Sequence, residues 1–219
     1  MSMTFLSPKI RVARASNSIA LDEGNAWAVL EKITPFVLAD GSAPALQQTT
    51  VRVCFDDDAL YVRFDCEDRD IWGTYTQRDE PLFNQEVVEV MIAAGEDIPT
   101  TYFEFEISPN GVLFDAMIFN SNGSSENLKW DANWNCPNLR WHAERDDAHA
   151  HWSAVLAIPW RALTNDARVP NMCRANFYRI ERPRDSETEY SCWSPTLTNP
   201  ADFHRPARFG ILEFDIGGE

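Results

Sequence analysis

Apolar and polar residues alternate with a period of two along most of the chain, the pattern of strands buried on one face. Val51, Val53 and Phe55 alternate with Arg52 and Cys54. After Asp56-Asp57-Asp58-Ala59 the alternation resumes, with Leu60, Val62 and Phe64 on one face and Tyr61, Arg63 and Asp65 on the other. Pairing Phe55 with Leu60, Val53 with Val62 and Val51 with Phe64 makes every pair apolar, which predicts an antiparallel hairpin in that register. A second hairpin is predicted over 102–118. Phe103, Phe105 and Ile107 share a face, and Pro109-Asn110-Gly111 supplies a turn whose Asn and Gly accept φ > 0. Val112, Phe114, Ala116 and Ile118 are expected to continue that apolar face. Further strands are predicted at 87–93, 139–144, 151–158, 175–181 and 209–216. Helical signals are few. Pro159-Trp160-Arg161-Ala162-Leu163 reads as one short helix with Pro in its first turn, and 26–33 as helix or strand. Roughly nine short, regularly spaced strands predict an all-β fold, an antiparallel two-sheet β-sandwich. The polar segment 120–137 reads as the most loop-like stretch, although it carries Trp130 and Trp134. No linker or repeat divides the chain, so 1–18 is taken as an N-terminal extension and 19–216 as a single domain.

Composition agrees with one large domain. The chain has 219 residues, 44% hydrophobic and 24% charged, enough to bury a core. No apolar run approaches the ~18 residues of a membrane-spanning helix. A net charge of -15 argues against nucleic acid and anionic membranes as partners, both being negative themselves. The five cysteines are scattered and form no C-x-x-C pair, which argues against a zinc ribbon or a disulfide framework. Residues 1–15 carry Lys9, Arg11 and Arg14 without an apolar stretch, so no secretory signal is read and cytoplasmic residence is the default expectation.

Candidate chemistry is sparse. No P-loop, Rossmann, G-x-S-x-G or H-E-x-x-H motif occurs, and no nucleotide cofactor is expected. His149 and His151 are two apart, a spacing that places both on one side of a strand and would serve a metal given a third ligand. Asp56-Asp57-Asp58 offers hard oxygens to calcium but reads more simply as a polar hairpin turn. Glu104 and Glu106 share a strand face opposite Phe103 and Phe105, and Glu86 and Glu89 flank Val87 and Val88. Such carboxylates suit hydrogen bonds to hydroxyls. A pair of them would also suit a stand-alone hydrolase or lyase acting on glycosides or polyols. In a chain with 34 acidic residues, a suitable pair also arises by chance, and a solvated sheet face is the simplest use.

At this point the residues resemble a known family. The runs Ala59-Leu60-Tyr61-Val62-Arg63-Phe64 and Pro81-Leu82-Phe83-Asn84-Gln85-Glu86-Val87-Val88-Glu89 are similar to the family 9 carbohydrate-binding modules and the DOMON-like sandwiches around them. So are Tyr190-Ser191-Cys192-Trp193-Ser194-Pro195, Phe203-His204-Arg205-Pro206-Ala207-Arg208-Phe209-Gly210 and, loosely, Leu21-Asp22-Glu23-Gly24-Asn25-Ala26-Trp27. The resemblance implies a non-catalytic sandwich that binds mono- or oligosaccharides, is associated with carbohydrate catabolism and often holds structural calcium. It places the family's aromatic pair, Trp in the best sugar binders, on Phe83 and Phe203, and its carboxylate on Glu89. A family arginine falls on Glu104, reversing the charge, and a family asparagine falls on Pro200. Trp130 is then a substitute stacking platform, with Trp134 beside it, and His204 and Arg205 substitute polar contacts. The DOMON relatives that bind haem make Met91 and His204 conceivable axial ligands, but no C-x-x-C-H is present and haem is not expected.

Overall fold

Thirteen strands make up most of the regular structure in the computed structural model, which describes residues 7–15, 21, 24–126 and 128–216. They are β1 Lys9–Arg14, β2 Val37–Leu38, β3 Thr49–Phe55, β4 Ala59–Glu67, β5 Val87–Ala94, β6 Thr101–Ile107, β7 Leu113–Phe119, β8 Lys129–Asp131, β9 Arg140–Asp146, β10 His151–Pro159, β11 Met172–Glu181, β12 Glu189–Cys192 and β13 Gly210–Phe214. Their order across the sheet is β8-β7-β6-β5-β11-β13-β1-β3-β4-β10-β9, with β12 and β2 continuing beside β11.

The fold is all-β, but the sheet is mixed rather than purely antiparallel. β1 runs parallel to both β13 and β3. It joins two halves that would each otherwise end in a row of unpaired backbone groups, the exposure that sheet edges must avoid. Residues 9–14, expected in an extension ahead of the domain, therefore lie at the seam of the sheet. Only Val12 of this strand is buried, so its alternation was too weak to stand out. Within the opening motif, Asp22 and Glu23 lie outside the described residues.

The β3–β4 hairpin has the expected register, with Val51 opposite Phe64, Val53 opposite Val62 and Phe55 opposite Leu60. The β6–β7 hairpin forms, but its faces differ from expectation. Phe103, Phe105 and Ile107 oppose Met117, Asp115 and Leu113, while Tyr102, Glu104 and Glu106 oppose Ile118, Ala116 and Phe114. The turn closes with the Ser108 N–H donating to the Val112 carbonyl at 3.0 Å and the Gly111 N–H to Ser108 at 2.9 Å. That closure puts Phe114, Ala116 and Ile118 on the glutamate face, because a one-residue change of parity flips every side chain.

Three smaller expectations also change. Segment 120–137 contributes strand β8 at the sheet edge, paired with β7. Residues 26–33 hold only the end of a short helix, Gly24–Trp27, and then Ile33, which bridges Val51. His149 sits in the 3-10 turn Asp147–His149 and Ala150 is left-handed, so His149 and His151 do not share a strand face. The helix Trp160–Leu163 is present as expected.

The sheet curls so that its two halves pack against one another. Phe64 meets Phe177 edge-on at 6.1 Å between ring centroids, and Phe55 meets Phe214 at 5.2 Å. Val62, Leu156, Val90, Ile92 and Phe105 fill the space around them. A second apolar cluster covers the outer face of β5, β6, β7 and β11, drawing in Leu82, Tyr102, Phe114, Tyr178, Phe203 and Phe209. Strand β5 is consequently buried on both faces.

Gly210 has no room for a side chain. A Cβ there would lie 2.5 Å from Cη2 of Trp193 and 2.9 Å from the Pro8 carbonyl oxygen. That carbonyl accepts the Ile211 N–H and anchors the chain leading into β1. Gly210→Ala is expected to lose about 1–3 kcal/mol in urea denaturation through overpacking at the seam. A loss below about 0.5 kcal/mol would show that Trp193 swings aside freely.

Candidate functional site

The outer face of β11, β5, β6 and β7 is the floor of a cleft of about 640 Å³. Strand register places its residues. Glu89 opposes Glu106, Met91 opposes Glu104, and Phe114 and Ile118 continue the face on β7. Trp130 on β8 lies opposite Ile118. The walls come from distant segments. One carries Pro81, Phe83 and Asn84, and another carries Ala201, Asp202, Phe203 and His204. Arg182 and Tyr190 close the end beside β11.

All six residues singled out from the sequence, Phe83, Glu89, Glu104, Trp130, Phe203 and His204, line this single cleft. Their settings differ. Phe83 and Trp130 are 43% and 59% exposed, large apolar rings open to solvent. Phe203 is only 8% exposed and stacks on Tyr178 at 4.2 Å between centroids, so much of it is packing. Trp134 packs against Phe103 and Phe105 instead of offering a free platform. Arg205 turns to Asp202 in an ion pair at 2.8 Å.

His204 is held by its neighbours. Its Nδ1 lies 2.9 Å from the Tyr102 hydroxyl, and its backbone N–H donates to Asp202 at 3.0 Å. Asn120 donates to both the Tyr102 hydroxyl and the His204 carbonyl. The other ring nitrogen, Nε2, is 3.9 Å from a Glu104 oxygen. Nothing in the local sequence marked Tyr102 or Asn120, because both act on a histidine some 84 to 102 positions away.

The floor is acidic. Glu89, Glu104 and Glu106 each bring one oxygen to within 4.8 Å of the others, and all three are buried. The solvated sheet face, the simplest alternative for Glu104 and Glu106, is not what forms: the wall segments cover it. Burial raises all three carboxyl groups above the ordinary range. The neighbouring glutamates push Glu89 and Glu106 further, while His204 partly offsets the rise at Glu104. One oxygen of Glu106 has no hydrogen-bond partner. Among the described residues, no Lys or Arg forms a salt bridge with any of the three; His204 is the nearest cation-forming group.

Other candidate chemistry falls away or serves the fold. Asp56 accepts the backbone N–H groups of Asp58 and Ala59 and the Tyr61 hydroxyl, which makes its run a hydrogen-bonded turn that does not fit a calcium loop. Asp68, Glu86 and Glu181 form a second buried acidic group, but the Arg179 guanidinium already sits 3.0 Å from Asp68, so that group does not fit a metal either. Burial pushes the Cys54, Cys66, Cys136 and Cys192 thiols up to about 12, far from thiolate at neutral pH. No helix among the described residues is long and apolar enough to cross a membrane.

Comparison with known proteins places the cleft in context. A family model for carbohydrate-binding family 9 matches residues 30–214. An "Extracellular protein" of Arthroderma benhamiae is 24% identical over 174 residues, covering 76% of this chain and 78% of that protein. A candidate carbohydrate-binding protein of Bacteroides uniformis superposes with a TM-score of 0.74 at 17% identity, covering 95% of this chain and all of that one. A carbohydrate-binding module of family 9 from Caldicellulosiruptor kristjanssonii superposes with a TM-score of 0.65 at 14% identity, covering 96% of this chain. It has been solved with glucose and with cellotriose, and the match covers 97% and 98% of those chains. At such identities the structural matches establish a shared fold.

Proposed function

The chain belongs to carbohydrate-binding family 9, and from that premise we propose that the cleft binds a mono- or oligosaccharide without turning it over. The observation that carries this reading is the pairing of exposed rings with polar groups in one cleft. Phe83 and Trp130 present open faces, and Glu89, Glu104 and His204 lie on the floor and wall between apolar residues. Sugar rings have apolar C–H faces and hydroxyl edges, so they need both kinds of contact. Phe203, braced by Tyr178, would shape the wall and contribute its remaining face.

The carboxylates suit binding better than hydrolysis. A glycosidase places its two carboxyl groups on either side of the scissile bond. Here all three rise from adjacent positions of one sheet face, so none stands across from another over a bound sugar.

Glucose and cellotriose, present in the Caldicellulosiruptor structures, open the ligand panel for calorimetry. Phe83→Ala and Trp130→Ala are each expected to weaken the best ligand by on the order of tenfold, about 1.4 kcal/mol. Because both rings are exposed, the melting temperature should hardly move. Unchanged affinity in the double variant would remove these rings from the site.

A further inference from the structure

We propose that the cleft is built for a sugar bearing a protonated amine, and that Glu89, Glu104 and Glu106 receive the ammonium group. This rests on the saccharide reading and narrows its ligand class.

The floor calls for positive charge. Glu89 and Glu106 are directly opposed across antiparallel strands, with Glu104 on the adjoining diagonal. Ionised together, carboxylates so placed repel one another. Burial withholds the water that would relieve them, and no Lys or Arg among the described residues pairs with them. One oxygen of Glu106 is buried with no partner, an arrangement that costs free energy unless a ligand satisfies it.

The geometry suits an ammonium group. Three oxygens, each within 4.8 Å of the others, leave a central point no more than about 2.8 Å from each, a normal N–H···O distance. An ammonium group has three donors and no acceptor, matching an ionised floor that only accepts. A neutral hydroxyl brings one donor and no charge. Calcium fits less well, because it takes six to eight oxygens and the close group here, among the described residues, is three carboxylates. Burial holds the protons of Glu89 and Glu106 beyond the ordinary carboxylate range, so ionising the floor to take up the cation should release protons.

The test is calorimetry of the whole chain at pH 6.5 with glucosamine, N-acetylglucosamine and glucose. N-acetylglucosamine keeps the sugar frame and removes the charge. Glucosamine is expected to bind at least tenfold more tightly than the other two. Titrations in two buffers of different ionisation enthalpy should show proton release. Glu106→Gln and Glu104→Gln should each bring glucosamine down towards the glucose affinity. If either variant fails to fold, the comparison among the three sugars on the unaltered protein still decides. Equal affinity for glucose and glucosamine would overturn the amine assignment and leave the saccharide reading standing. Binding of calcium chloride alone, with glucosamine no better than glucose, would overturn it in favour of a metal site. An undiminished glucosamine preference in both variants would overturn the role of the glutamates. Failure of every saccharide to bind would overturn the broader reading as well.

Discussion

Replacing Arg179 with Met is expected to cost about 3–5 kcal/mol of stability, the typical penalty for leaving one partner of a buried ion pair alone. Arg179 and Asp68 are both fully buried and 3.0 Å apart. The guanidinium also donates to the Glu67 carbonyl at 2.6 Å, tying β11 to the end of β4 across the two halves of the sheet. Asp68 accepts the Trp152 indole N–H at 3.0 Å as well. Without Arg179 the Asp68, Glu86 and Glu181 carboxyls would face one another without the guanidinium that now sits against Asp68. Urea denaturation should show the loss, and the melting temperature should fall by on the order of 10 °C. Adding Asp68→Asn to the variant should restore part of the stability, because it removes the stranded charge. A loss below about 1 kcal/mol would mean that the cluster relaxes to water more easily than its burial indicates.

Stability should be greatest in mildly acid solution and fall as the pH rises through neutrality. Glu86, Glu89, Glu104 and Glu106 all hold their protons more tightly in the folded chain, chiefly because burial disfavours the charged form. Unfolded, each would ionise near ~4.3. Between that value and its raised folded value, each glutamate binds more protons in the native state, so every increment of pH favours unfolding. The slope is about 1.4 kcal/mol per pH unit for each such group. For Glu86, raised to about 9 with a further push from Asp68 beside it, the decline extends across neutrality to that pH. Asp70 acts in the opposite sense at the acid end. Its hydrogen bonds with Arg184 hold it at about 2, so its stabilisation is present above the ordinary carboxylate range and lost as the pH falls towards that value. Thermal melts from pH 4 to 9 should be highest at the acid end of that range and decline from about pH 4.5 upwards. Glu86→Gln should flatten the alkaline limb. A melting temperature that rises from pH 5 to 8 would show that these glutamates are ionised and paired in the native protein.

Much of this architecture was legible from residue order because strand alternation is local. Val51 to Phe64 could be paired correctly, since one register alone set apolar against apolar at three successive positions. The same reasoning put Glu104 and Glu106 on one face and Phe103 and Phe105 on the other. It went astray at Phe114, Ala116 and Ile118, where an Asn-Gly turn announces a hairpin but the closing hydrogen bonds at Ser108 set its parity. It also missed β1. A strand with one buried residue carries almost no pattern, and its place depends on two partners about 40 and 200 positions away in the chain.

The cleft divides in the same way. Its six candidate residues came from motif resemblance, and Phe83 and Trp130 kept the exposure that a stacking role requires. What covers the glutamate face was not written near the glutamates. The covering segments at 79–84 and 201–204 approach through long-range packing, and their approach turns three ordinary acidic side chains into a buried, mutually repelling group. Period-two alternation tells which residues look the same way; whether they look into water or into protein is settled by contacts between segments far apart in the chain.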